Sequence, residues 1–162
     1  MASGISTKGR YALRVMADLA VSQGDSCWVS LGDISRRQGI SRKYLEQVMA
    51  SLHKAKFVTS QRGKGGGYRL SREPADYSLG EIIRAAEGSS LAPVSCLDCS
   101  SGTLCPRTKI CPTLPVWQEL GALISGYLDS KHLSDIVSGM RGPEDSAEVI
   151  KSLEELGQGL CK

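Results

Sequence analysis

The chain has 162 residues, 41% hydrophobic and 23% charged, which supplies one compact core and excludes a disordered chain. Aromatic residues make up only 5%, which disfavours a large aromatic-lined ligand pocket. The net charge of +3 conceals a division: residues 8–72 carry 13 Lys and Arg against 4 Asp and Glu, whereas residues 73–162 carry 7 against 13, so the N-terminal part has the cationic surplus that displaces counterions from nucleic-acid phosphate.

The first predicted helix spans Thr7 to Ser22, with Ala12, Val15, Met16, Leu19 and Ala20 on one face. Gly24 is expected to end it, and Cys27 and Trp28 lie in the link that follows, Cys27 as a core residue. Ser30 caps a short helix, Leu31 to Gln38, with Asp33 in its first turn, and Gly39 breaks it. Ser41 caps the next helix, where Leu45, Val48, Met49 and Leu52 form the inner stripe and Arg42, Lys43, Glu46 and Gln47 face outward. Helix, glycine turn, helix is the helix-turn-helix pattern.

Phe57 to Arg62 reads as a strand, Gly63 to Gly67 as a tight turn and Tyr68 to Leu70 as the return strand. Ser78 to Glu81 is a capping box that opens a helix with Leu79, Ile82, Ile83 and Ala86, ended by Gly88. A loop from Ser89 to Pro112 follows. Val116, Trp117, Leu120, Leu123, Ile124, Tyr127 and Leu128 then recur at helical spacing and predict a long amphipathic helix, followed by a short one at Leu133, Ile136 and Val137. Residues 141–162 read as a polar tail with a weak helix near Ala147 to Leu156. The expected fold is mainly α with a small β-hairpin wing: a winged helix-turn-helix over residues 1–88, a cysteine-rich loop over 89–112, a dimerisation helix region over 113–140 and the tail.

A helix-turn-helix followed by a hairpin suits double-stranded DNA. The second helix matches the width of the major groove. Its N-terminus at Ser41 offers free amides to phosphate, with Arg42 and Lys43 beside it. Glu46 can accept from a cytosine amine and Gln47 can bridge adenine. In the wing, Gly63, Gly65, Gly66 and Gly67 leave backbone amides open to close approach by phosphate, and Arg62 and Lys64 flank them.

Cys96-x2-Cys99-x5-Cys105-x5-Cys111 places four thiols within 16 residues of a Gly/Ser loop stiffened by Pro106 and Pro112, a donor set for a zinc ion or an iron–sulfur cluster. The alternative is unligated surface thiols. Cys161 reads as an incidental thiol, His53 as a solvated residue late in the recognition helix and His132 as exposed. Two distant histidines provide no catalytic triad, the glycine run closes a hairpin and opens no helix, and no Cys-x-x-Cys sits at a strand-to-helix junction, so an enzyme is not expected. No run reaches the roughly 18 apolar residues of a membrane span. The N-terminus lacks the layout of a secretory leader. The expectation is a cytoplasmic protein with reduced cysteines.

The run from Ile34 to Gln47 resembles the IscR/NsrR/CymR family of bacterial regulators, the Rrf-two family, as do Arg62 to Leu70 and the opening Ser6 to Ala12, which is most similar to the IscR branch. The resemblance covers roughly residues 5 to 137. It implies a homodimer with crossing C-terminal helices on a palindrome-like operator, which Ser41, Lys43, Glu46, Gln47 and Arg62 read. Thr7, Lys8 and Tyr44 join the candidate contacts on the same matching segments. It also implies a 2Fe–2S or 4Fe–4S cluster on Cys105, Cys111 and either Cys99 or Cys96, the x5 spacing favouring Cys99. The chain departs from its relatives at the fourth ligand: the IscR-type histidine position is Leu114 and the NsrR-type aspartate position is Arg10, so the extra thiol is the natural replacement.

Overall fold

The computed structural model describes residues 5–22, 28–88, 91–97 and 105–139. Helix α1 (Thr7–Ser22) is followed by α2 (Leu31–Gln38), α3 (Arg42–Lys54), strands β1 (Val58–Gln61) and β2 (Gly67–Leu70), then α4 (Leu79–Glu87), α5 (Leu114–Asp129) and α6 (Leu133–Val137). The mainly helical fold with one antiparallel hairpin is the architecture expected. The strand limits differ: Phe57 stays outside β1 and sets its ring edge-on to Tyr77 at 5.5 Å, while Gly67 joins β2. The expected Gly24 stop, Cys27, Cys99, Cys161 and the tail lie outside the described residues.

The caps act where the sequence puts them. The Ser30 hydroxyl accepts from the Asp33 amide at 3.1 Å, Ser41 from Tyr44 at 3.4 Å and Ser78 from Glu81 at 3.1 Å. Gly39 and Gly88 close α2 and α4 at φ 64° and 72°, a conformation that glycine adopts without the Cβ clash. The reciprocal half of the Ser78 capping box is not made: the Glu81 carboxylate instead accepts from Arg72 Nη2 at 2.9 Å.

Leu45, Val48, Met49 and Leu52 of α3 are buried against Ala12, Val15, Met16 and Leu19 of α1 and Ile82 of α4. Burial of each large side chain contributes about 1.5–3 kcal/mol. A polar lock holds the helix-turn-helix to α1. The buried Asp18 carboxylate accepts from Arg37 Nε at 2.9 Å and Nη2 at 2.7 Å, and from Gln38 Nε2 at 3.0 Å, while Arg14 donates to Gln38 Oε1 at 3.1 Å and to its carbonyl at 2.6 Å. This network fixes the attitude of α2, and through the Gly39 turn that of α3. Tyr77 pins the hairpin base: its hydroxyl accepts from the Ser71 and Arg72 amides at 3.0 and 2.7 Å and donates to the Phe57 carbonyl at 2.9 Å. Burial pushes this phenol above its ordinary pKa.

The C-terminal helices attach to the same body. Arg84 of α4 pairs with Asp129 of α5, Nη2 to Oδ1 at 2.5 Å, and the Asp129 carboxylate lies so close to Gly80 that a Cβ there would strike it. The Leu79 amide donates to the Lys131 carbonyl at 2.8 Å and Leu133 to the Tyr77 carbonyl at 2.9 Å. Leu133 is fully buried, and His132, expected to be exposed, is half-buried because Ser78 bridges to it. No described helix is long and apolar enough to cross a membrane.

Candidate nucleic-acid interface and cysteine segment

The amphipathic pattern of α3 decides what reaches the surface. Its inner stripe is consumed by the core, so Ser41, Arg42, Lys43, Glu46 and Gln47 are exposed together at its N-terminal half. Tyr44 behaves differently. It is half-buried and meets Tyr11 of α1 edge-on at 5.5 Å and 85°, with the Arg14 guanidinium 5.4 Å from the Tyr11 centroid. Its position between core and surface joins the recognition helix to α1. At the start of α1, Thr7 is exposed and accepts from Arg10 Nη2 at 3.1 Å, and Lys8 is half-buried with its amide donating to Ser6 Oγ at 3.0 Å.

The wing tip presents Arg62, Gly63, Lys64 and Gly65 to solvent, with Gly66 half-buried. Its glycines divide into two kinds. Gly63 and Gly65 hold φ of 100° and 81° with open space around them, which leaves backbone exposed at the tip. Gly66 and Gly67 are also required by closure of the turn: the Gly66 amide donates to the Gly63 carbonyl at 3.0 Å, a Cβ on Gly66 would run into the Gln61 carbonyl, and one on Gly67 would run into Val29.

Sequence reasoning missed the strand segment that makes Gly67 necessary. Val29 pairs with Tyr68, amide to carbonyl in both directions at 3.0 and 2.8 Å. The wing therefore has a third strand-like edge from the α1–α2 link, and the Arg69 guanidinium sits over Trp28 at 4.7 Å.

In the cysteine segment, Cys96 is exposed on a short turn (Ser95–Leu97), whereas Cys105 and Cys111 are half-buried in the turn segment that leads into α5. All three are free thiols. Convergence on one metal centre was the expectation from spacing. Among the described residues no group of three or more His, Cys, Asp or Glu side chains stands close enough to hold a metal ion, and Cys99 lies outside them. The donor chemistry itself suits a thiophilic metal. Thr113, through its hydroxyl at 3.3 Å and its backbone, holds the Cys111 thiol below its ordinary pKa, favouring the thiolate that ligates metal. Arg10 and Leu114 occupy the two positions where relatives are expected to supply a further ligand, and neither side chain can ligate.

Helix α5 has no buried residue. Val116, Leu120, Leu123 and Tyr127 are exposed at 61%, 39%, 65% and 64%, an uncovered apolar stripe along the helix.

The family model described as Rrf2, an iron-dependent transcriptional regulator, matches residues 5–139. The transcriptional regulator IscR of Photobacterium profundum is 40% identical over 133 residues, 82% of this chain and 74% of that protein. Among solved structures, IscR of T. potens superposes with a TM-score of 0.66 at 40% identity, over 83% of this chain and 86% of that one. CymR, the global cysteine regulator of B. subtilis, superposes with a TM-score of 0.67 at 36% identity, over 86% of this chain and 99% of that one. With these matches spanning the wing, the helix-turn-helix and α5, the chain belongs to the Rrf2 family of winged-helix transcriptional regulators, on its IscR-like side.

Proposed function

We propose that the protein acts in the cytoplasm as a homodimer that grips a palindrome-like DNA operator, and that an iron–sulfur cluster on its cysteine segment governs that grip. The observation that carries the DNA reading is the joint exposure of the polar face of α3 and the glycine-bearing wing tip on the cationic part of the chain. Ser41, Arg42, Lys43, Tyr44, Glu46 and Gln47 serve the major groove and the phosphates at its rim. Arg62, Gly63, Lys64, Gly65 and Gly66 serve the wing contact. Thr7 and Lys8 contact the backbone at the start of α1.

The division of labour follows chain order: a reading head over residues 1–88, a cluster-binding segment over 89–112, a dimerisation region over 113–140 and a polar tail over 141–162. A second copy covering Val116, Leu120, Leu123 and Tyr127 would remove that stripe from water and hold two reading heads at a fixed spacing. Cys105 and Cys111 would hold the cluster with Cys99 and Cys96, all-thiolate ligation that compensates for Leu114 and Arg10. When bound, such a cluster supplies a redox centre that oxygen, nitric oxide or iron limitation can remove. The chain's own contribution is mechanical. Cys111 lies three residues before α5, so the way its segment is held bears on the seating of that helix and on the relative pose of the two heads.

The test is anaerobic isolation followed by an absorption spectrum and duplex-binding measurements before and after loss of the chromophore. Visible thiolate-to-iron bands, together with operator affinity that changes at least severalfold on their loss, are expected. A colourless protein loaded with zinc, or a cluster whose loss leaves operator binding unchanged, would contradict the sensing part.

A further inference from the structure

Besides Arg62 and Lys64 at its tip, the wing carries a further cation, set back from the tip and held against an aromatic ring. Val29 pairs antiparallel with Tyr68, and β1 pairs antiparallel with β2 so that Thr59 faces Arg69. The same register sets Trp28 directly across from Arg69, giving a row of Trp28, Arg69 and Thr59 across three adjacent segments. Val58 and Leu70, the neighbours on the alternate face, are buried, so this row belongs to the outward face of the wing. The Arg69 guanidinium carbon lies 4.7 Å from the Trp28 ring centroid.

Arg72, three residues further along the chain, pairs with the Glu81 carboxylate at 2.9 Å. Arg69 is exposed and, among the described residues, meets no carboxylate and no hydrogen-bond acceptor. The indole occupies one side of the guanidinium, and among the described residues nothing accepts from its N–H groups. A guanidinium pre-positioned this way loses little rotamer entropy on binding, and its fork matches two phosphate oxygens. The other candidate occupant, an acidic protein surface, is disfavoured by the position of Arg69 on the same hairpin as Arg62 and Lys64.

We infer that Arg69 is a DNA-phosphate contact and that Trp28 is its positioning residue, an extension of the DNA reading on which it rests. The roles separate experimentally. Binding to a random-sequence DNA duplex is measured against salt concentration for the wild type, Arg69→Ala, Arg69→Lys, Trp28→Ala and Trp28→Phe, with helix content and thermal transition checked for each. Loss of one phosphate contact lowers the slope of log affinity against log salt by about 0.9 per site. Arg69→Ala is expected to show that loss and Arg69→Lys to retain the slope with weaker affinity. Trp28→Ala is expected to weaken binding several-fold with its slope intact, and Trp28→Phe to restore it. Should Trp28→Ala fail to fold, Trp28→Leu against Trp28→Phe makes the same comparison. An Arg69→Ala protein with wild-type slope and affinity overturns the Arg69 contact while leaving the wider reading standing. Equal affinity for Trp28→Phe and the folded non-aromatic variant overturns the positioning role. A wild type that shows no salt-dependent duplex binding overturns the DNA reading and this inference together.

Discussion

Lys56 holds a left-handed backbone at φ 60° immediately after α3, where its amide donates to the His53 carbonyl and the Phe57 amide to the Leu52 carbonyl, each at 2.9 Å. Glycine is the usual occupant of that closing position. Lys56→Gly should therefore stabilise the fold by up to about 1 kcal/mol, read as a thermal midpoint a few degrees higher. An unchanged or lower midpoint would mean the lysine side chain contributes contacts that offset its backbone strain. Asp18 is the opposite case. Asp18→Ala leaves Arg37 and Gln38 without their shared acceptor and should cost about 2–4 kcal/mol in denaturant unfolding, the lower end applying because Arg37 is partly hydrated. Asp33 carries a pH dependence. The Ser30 hydroxyl, and behind it Arg36 and Arg37, hold its carboxyl below the ordinary value of 3.8. A depressed folded-state pKa gives stability that is present above 3.8 and is lost as pH falls through the lower folded value. Asp33→Asn should then show a shallower loss of stability on acidification below that point than the wild type, and equal slopes would remove the carboxylate from the account. In the proposed complex the Glu46 carboxylate faces a groove rimmed by phosphate and is repelled unless it meets a cytosine amine. Glu46→Ala is expected to broaden the set of duplexes bound by the cluster-free protein, and unaltered site preference in a competition assay would count against its role as a reader.

The helices were legible because their signals are local. Ser30, Ser41 and Ser78 begin them, Gly39 and Gly88 end two of them, and the apolar spacing of Leu45, Val48, Met49 and Leu52 identifies the inner face of α3. What escaped was long-range. Asp18 and Arg37 lie 19 residues apart on different helices, and nothing in either helix announces the pair. Glu81 has the spacing of a capping partner, yet Arg72 offers it a stronger, charged donor. The pairing of Val29 with β2 was hidden because a single bridged residue has no alternation to read, and with it went the reason for Gly67 and the stacking of Arg69 on Trp28. Of the candidate site, the exposed face of α3 and the tip of the wing follow from amphipathic spacing and turn chemistry. The cysteines do not, since spacing along a loop says which thiols can meet and leaves open whether the loop folds to bring them together.

At the scale of the whole molecule, α5 is anchored at its C-terminal end by Asp129 to Arg84 and by the Leu79–Lys131 bond, while Val116, Leu120 and Leu123 remain uncovered. A helical body fixed to one end of a helix with an exposed apolar stripe is suited to pairing with a copy of itself. Leu123→Glu should leave helix content intact, shift the protein to monomer in light scattering and reduce affinity for a two-half-site operator by at least about tenfold, because each head alone retains only its own contacts. The most direct measurement is selection of bound duplexes from a random DNA pool by the purified protein, followed by sequencing. The expected result is enrichment of an inverted repeat whose half-site centres lie about one helical turn of DNA, or a multiple of it, apart, with that enrichment lost in Gln47→Ala and Arg62→Ala. A pool that stays random, or that yields a solitary, non-repeated motif indifferent to both substitutions, would contradict it.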